Sequence, residues 1–110
     1  MGLILGIDPG SLRTGFGVIN ATGGRLEYVT SGVIRLPSGE LPERLGIIFE
    51  DLCEVIETHK PEAVSVEQVF MSRNAGSALK LGHARGAAVV AAVHHGVPVA
   101  EYSARQIKQS

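Results

Sequence analysis

Asp8 and Glu67 are the residues of this chain best suited to chemistry, because each closes an apolar run with an ionisable oxygen donor. The runs are Leu3-Ile4-Leu5-Gly6-Ile7-Asp8 and Ala63-Val64-Ser65-Val66-Glu67. Segments this apolar, bounded by Pro9-Gly10 after the first and by His59-Lys60-Pro61 before the second, read as strands buried on both faces of a sheet. If the two strands are parallel neighbours, their backbones run about 4.8 Å apart and both carboxylates arrive at one carboxyl edge. Two carboxylates that near could share divalent cations, and metal pairs about 3.5–4 Å apart serve phosphodiester chemistry. The competing reading is that each acid merely ends its strand and faces water. Only hard oxygen donors are offered and no Cys-His spacing lies nearby, which selects magnesium or manganese over zinc.

The elements that must position these acids follow from periodicity and turn chemistry. Strand one gives way to the turn cluster Asp8-Pro9-Gly10-Ser11. Thr14 to Ile19 forms a second strand, Asn20-Ala21-Thr22-Gly23-Gly24 a second turn, and Arg25 to Arg35 a third strand with Gly32 as a possible bulge. Three strands joined by short turns make an antiparallel meander. A helix follows, with Pro42 in its first turn and one apolar stripe from Leu41, Leu45, Ile48, Phe49, Leu52, Val55 and Ile56. The strand bearing Glu67 comes next. Asn74 then caps a second helix running to His94 or His95, with Gly96 as its left-handed stop. Val97 to Tyr102 is a fifth strand, and Ser103 caps a last helix that has barely begun at Ser110. The expected fold is therefore α/β: one domain over residues 1–110, a five-stranded mixed sheet with helices packed on it. Strands one to three form the meander, strands four and five run parallel, and the C-terminal helices are missing.

Bulk properties narrow the class. A chain of 110 residues suffices for a real core. A net charge of −1 creates no global field for nucleic acid, so any such surface is a local patch. Cys53 is the single cysteine, which excludes an internal disulfide, fits a reducing compartment and suits helix packing better than reactivity. No basic-then-apolar leader opens the chain, and the apolar run from Ala87 to Val93 is too short to cross a bilayer. A soluble, cytoplasmic protein without membrane contact is the expectation.

Ile4 to Ser11 with Thr14-Gly15, Glu67 to Met71, Asn74, Ser77 to Gly82, Ala84-Arg85-Gly86, and Glu101-Tyr102 with Ala104-Arg105-Gln106 form a set of motifs in a fixed order. Together they resemble the RuvC family of four-way-junction (Holliday junction) endonucleases. The likeness runs from the first strand to the last residue. The opening motif is weak alone, whereas the long block from Glu67 to Gly86 is strong. The resemblance implies an RNase H-like fold and a homodimer. It also implies magnesium-dependent paired nicking of symmetric strands at a DNA junction, leaving 5′-phosphate ends, in recombination and repair beside a branch-migration motor. Asp8 and Glu67 match two of the family's four metal-binding acids. The other two belong to a final helix beyond Ser110, so the chain is expected to be a truncated, incomplete catalyst. A complete site is expected to hold two ions, with manganese able to replace magnesium.

Other residues carry paired readings. Gly6, Gly10, Gly15 and Gly17 crowd the first hairpin, either for turn geometry or to let backbone approach a phosphate. Phe70 and Met71 follow Glu67 in a loop at the acid edge, where an apolar side chain could wedge between bases rather than pack in the core. The resemblance supports Phe70 in that role at the branch point. Gly82 and Gly86 are helix glycines four apart, with Val89, Val90 and Val93 continuing their side. Each glycine costs about 0.8–1 kcal/mol relative to alanine, which suggests close backbone approach to the chain's own sheet or to a partner helix. The resemblance favours the partner, since a two-fold dimer offers two equivalent sites. Arg13 and Arg73 lie in loops at the acid edge and suit phosphate contact; Lys108 matches a basic family position near the scissile phosphate. His83, His94 and His95 show no ligand spacing.

Three functions compete. The first is the metal-dependent junction endonuclease. The second is an actin-like ATPase or sugar kinase, which also opens Asp-x-Gly-Ser/Thr but needs a second lobe and phosphate loop absent here. The third is a non-catalytic dimer or junction-binding fragment.

Overall fold

Alternating Leu and Ile side chains build β1 over Leu3–Asp8, where Leu5 and Ile7 are buried while Ile4 and Gly6 are half-buried on the opposite face. The computed structural model describes residues 2–10, 13–36, 39–67 and 75–102. Antiparallel strands β2, Arg13–Thr22, and β3, Arg25–Arg35, complete a meander on one side of β1. On its other side β4, Ala63–Glu67, and β5, Val99–Tyr102, add in parallel. The strand order is β3-β2-β1-β4-β5, the mixed five-stranded sheet that the sequence leads one to expect.

One face of the sheet is covered. Leu5, Ile7, Val18, Val64 and Val66 meet Ile48, Leu52, Cys53 and Ile56 of helix α1, Leu41–His59, and Ala84, Ala88, Ala91 and Ala92 of helix α2, Ala75–His94. Cys53 is thus a packing residue. The alanines of α2 present almost no bulk, so the helix backbone lies close to what it covers. On the other face Ile4, Gly6, Ala63 and Ser65 are half-buried, which corrects the expectation of strands buried on both sides. Asp8 and Glu67 continue the two rows on that less covered face.

Helix ends follow local chemistry. Pro42 stands in the first turn of α1, whose N-cap Glu40 makes no side-chain cap bond. Lys60 ends it in the left-handed region, φ 49°, donating its N–H to the Ile56 carbonyl at 2.8 Å. Gly96, at φ 70°, stops α2 as its type suggests, and the Val97 N–H donates to the Ala92 carbonyl at 3.0 Å. The expected Asn74 cap and the helix beginning at Ser103 lie outside the described residues.

Three boundaries differ from the sequence reading. β2 extends through Thr22, which pairs with Arg25, so the turn shrinks to Gly23-Gly24 with φ 57° and 79°. Two consecutive positive φ values match the right-handed twist of the flanking strands in a two-residue hairpin. The register shift falls between Val18 and Ile19 rather than at Gly32, which pairs regularly with Phe16. Gly32 is small for another reason: a Cβ there would lie 2.6 Å from Cζ of the Phe16 ring. β5 begins at Val99, because Pro98 cannot donate to a ladder; its carbonyl accepts the Val64 N–H at 2.9 Å.

Candidate metal centre

β1 and β4 are adjacent and parallel, with Leu5 opposite Val64 and Ile7 opposite Val66. One further residue along each strand brings Asp8 and Glu67 to the same carboxyl edge. The two side chains are near enough to influence each other's ionisation. The Glu67 carboxyl is raised above the ordinary glutamate range, first by partial burial, then by the neighbouring Asp8 side chain and its negative charge. A raised acid beside a second acid means that two negative charges compete for one small volume. A divalent cation relieves that repulsion, and the donors are hard oxygens, so the pair fits magnesium or manganese. Among the described residues no cluster of three or more His, Cys, Asp and Glu side chains accompanies them. The remaining soft and imidazole donors are elsewhere. Cys53 is in the core, and the His94 ring stands edge-on to Phe49 at 5.6 Å.

Beside the acids lies an open cleft of about 600 Å³ lined by Asp8, Pro9, Gly10, Arg13, Gly15, Val33 and Leu81. Its floor is a cross-strand row: Asp8 pairs with Gly15, and Gly15 pairs with Val33. The glycines of this hairpin do different jobs. A Cβ at Gly10 would collide with the Arg13 carbonyl oxygen, so turn geometry alone requires glycine there. A Cβ at Gly15 would meet only Asp8 Cβ, at 3.9 Å, an ordinary contact. Glycine at position 15 is therefore free to serve the cleft, leaving a gap between the Asp8 carboxylate and the Val33 side chain.

The structure thus brings Asp8, Glu67 and Arg13 to one edge, Arg13 being exposed at the start of β2. Phe70, Met71, Arg73 and Lys108, expected at the nucleic acid, lie outside the described residues. Val33 and Leu81 are cleft residues that sequence reasoning missed. Val33 reads simply as a β-former and Leu81 as part of a motif, and only the strand register makes Val33 a neighbour of the acid row.

On α2, an added Cβ at Gly82 or Gly86 meets nothing within 4 Å, so neither glycine serves packing among the described residues. Leu79, Val90 and Val93 are 63%, 55% and 64% exposed and share their stripe, opposite the buried alanines. Val89 is the exception among the residues expected there: it is partly buried against the core.

Comparison with known proteins agrees with this geometry. Residues 4–110 match the family model described as "Crossover junction endodeoxyribonuclease RuvC". A protein of that name from Saccharophagus degradans is 61% identical over 111 residues, covering all of this chain and 64% of the relative. Another from Pseudomonas aeruginosa (strain LESB58) is 62% identical over 110 residues, covering all of this chain and 63% of the relative. The chain therefore spans somewhat under two thirds of the length of the curated relatives it matches. Among solved structures, the Thermus thermophilus RuvC in complex with Holliday junction substrate superposes with a TM-score of 0.88 at 36% identity, covering 99% of this chain and 69% of that one. With a match over nearly its whole length, and with the fold of that structure, the chain belongs to the RuvC family of crossover junction endodeoxyribonucleases.

Proposed function

We propose that the protein carrying this chain is a metal-dependent endonuclease that resolves four-way DNA junctions by paired symmetric nicks. The observation that carries the reading is the juxtaposition of Asp8 and Glu67 at the carboxyl edge of adjacent parallel strands, in a chain of this family. Asp8 and Glu67 would hold magnesium, or manganese in its place, on the less covered face of the sheet. An ion held by these two acids would supply activation of water for in-line attack and charge neutralisation at the departing 3′-oxygen, giving a 5′-phosphate. The chain's own groups do the positioning. β1 and β4 fix the two carboxylates on a rigid floor, Gly15 keeps the space beside Asp8 clear, and Arg13 offers an exposed cation for the phosphate backbone. Two ions would complete a site in which further acids join this pair. Phe70 and Met71 would wedge at the branch point, with Arg73 and Lys108 on phosphates.

The protein acts as a homodimer in this reading, beside a branch-migration motor. Support for the dimer is the exposed stripe of Leu79, Gly82, Gly86, Val90 and Val93, where two glycines leave room for a second helix backbone. One observation favours a second reading for this chain taken alone: only two acids stand together among the described residues, which suits junction binding without cutting.

A gel assay separates these possibilities, using magnesium, a synthetic four-way junction and a matched linear duplex. Cutting of the junction alone, abolished by Asp8→Asn or Glu67→Gln, is the expected result. Junction binding without cutting, unaffected by those changes, would favour the second reading, and turnover of ATP would overturn both.

A further inference from the structure

Resting on the nuclease reading above, we propose that Val33, with Leu81, makes the cleft beside Asp8 selective for deoxyribose over ribose in the strand being cut. The row Asp8–Gly15–Val33 crosses three adjacent strands, so the acid and the Val33 side chain stand two strand spacings apart, roughly 9–10 Å. Gly15 leaves the interval between them empty. With a phosphate held at the acid pair, the neighbouring sugar falls over that gap and against the far wall. The wall is apolar: Val33 is 52% exposed on β3, and Leu81 contributes from α2. The cleft volume, about 600 Å³, falls within the roughly 300–1,000 Å³ range of small-molecule sites, enough for one nucleotide unit.

Among the described residues that line the cleft, the polar side chains are Asp8, which this reading gives to the metal, and Arg13, a donor only, matched to phosphate. Backbone groups of Gly15 and Val33 belong to the ladders of β2 with β1 and β3. A 2′-hydroxyl set against Val33 and Leu81 would exchange water for apolar side chains, a penalty that deoxyribose avoids. An apolar pocket rejects an added hydroxyl by about tenfold to a hundredfold.

The test walks a single ribonucleotide through the cleaved strand of a four-way junction, two positions to each side of the cut, using the full-length protein with magnesium. One position is expected to slow cutting about tenfold or more against the all-DNA junction. Val33→Thr keeps the shape and adds a hydroxyl partner, so it should narrow the deoxyribose-to-ribose ratio at that position, whereas Val33→Ile should preserve it. Leu81→Gln gives the same reading from the other wall should the Val33→Thr protein fail to fold. Equal rates at every position, or a penalty that neither polar variant changes, would overturn the sugar selection while leaving the nuclease reading intact. An all-DNA junction left uncut would overturn the nuclease reading and the sugar selection with it.

Discussion

Glu67 is where the chemistry of the site is most directly testable without a substrate. Its carboxyl is raised in the folded chain, so the protonated form favours folding. That contribution is fully present below the ordinary glutamate range and is lost as pH rises through the folded-state value. At pH 7, without metal, the pair Asp8–Glu67 is therefore a source of repulsion. Glu67→Gln should raise the melting temperature at pH 7, make no difference near pH 3, and remove the stabilisation that magnesium gives the parent. Thermal melts at the two pH values, with and without magnesium, check this; a less stable variant at pH 7 would contradict the assignment. Thr14 makes a second case. It is fully buried, and its Oγ1 has no hydrogen-bond partner among the described residues. An unpaired buried hydroxyl contributes nothing, so Thr14→Val, nearly isosteric, should be neutral or stabilising by up to about 1 kcal/mol in urea unfolding. Neither state of affairs is visible in the sequence, where Thr14 reads only as a strand residue.

At the scale of elements, α2 divides into two faces with different debts. Its alanine face is settled within the chain, while the face of Leu79, Gly82, Gly86, Val90 and Val93 is left to solvent. Because nothing among the described residues approaches Gly86, a leucine there fits the monomer and should raise helix propensity by up to about 1 kcal/mol. The same side chain would hold a partner helix away. Gly86→Leu should thus give stable monomers by light scattering with an undiminished melting temperature, and an unchanged dimer would retire this interface. The periodicity made α1 legible from Leu41 to its end, since one apolar stripe and the Lys60-Pro61 break decide it; that Lys60 stops it in the left-handed region is visible only in the structure. α2 was legible in extent but ambiguous in its small residues. Glycines at 82 and 86 suit close packing on either side, and the burial of Ala84 and Ala88 decided which side was free. The hairpin of β2 and β3 reads short in the sequence because Asn20 and Gly23-Gly24 are turn-forming types that bracket Ala21 and Thr22. Pairing of Thr22 with Arg25 overrode that preference.

For the whole molecule, a net charge of −1 means that any attraction to DNA must be local, and the proposed function places it at the acid edge around Arg13. Affinity for a junction should fall as salt rises, and Arg13→Gln should reduce the slope of log affinity against log salt by about one, measured by fluorescence anisotropy. A flat salt response would argue against a phosphate-binding edge. No helix among the described residues is long and apolar enough to span a membrane. Chain order by itself determined the elements, the acids at two strand ends and the family, because each rests on local periodicity or on consecutive residues. Only tertiary structure decided that β1 lies beside β4, that Asp8 and Glu67 share one edge, and that Gly15 opens a gap facing Val33. Those facts depend on strand order and register between segments tens of residues apart, and a one-residue slip would have turned either acid to the helix-covered face.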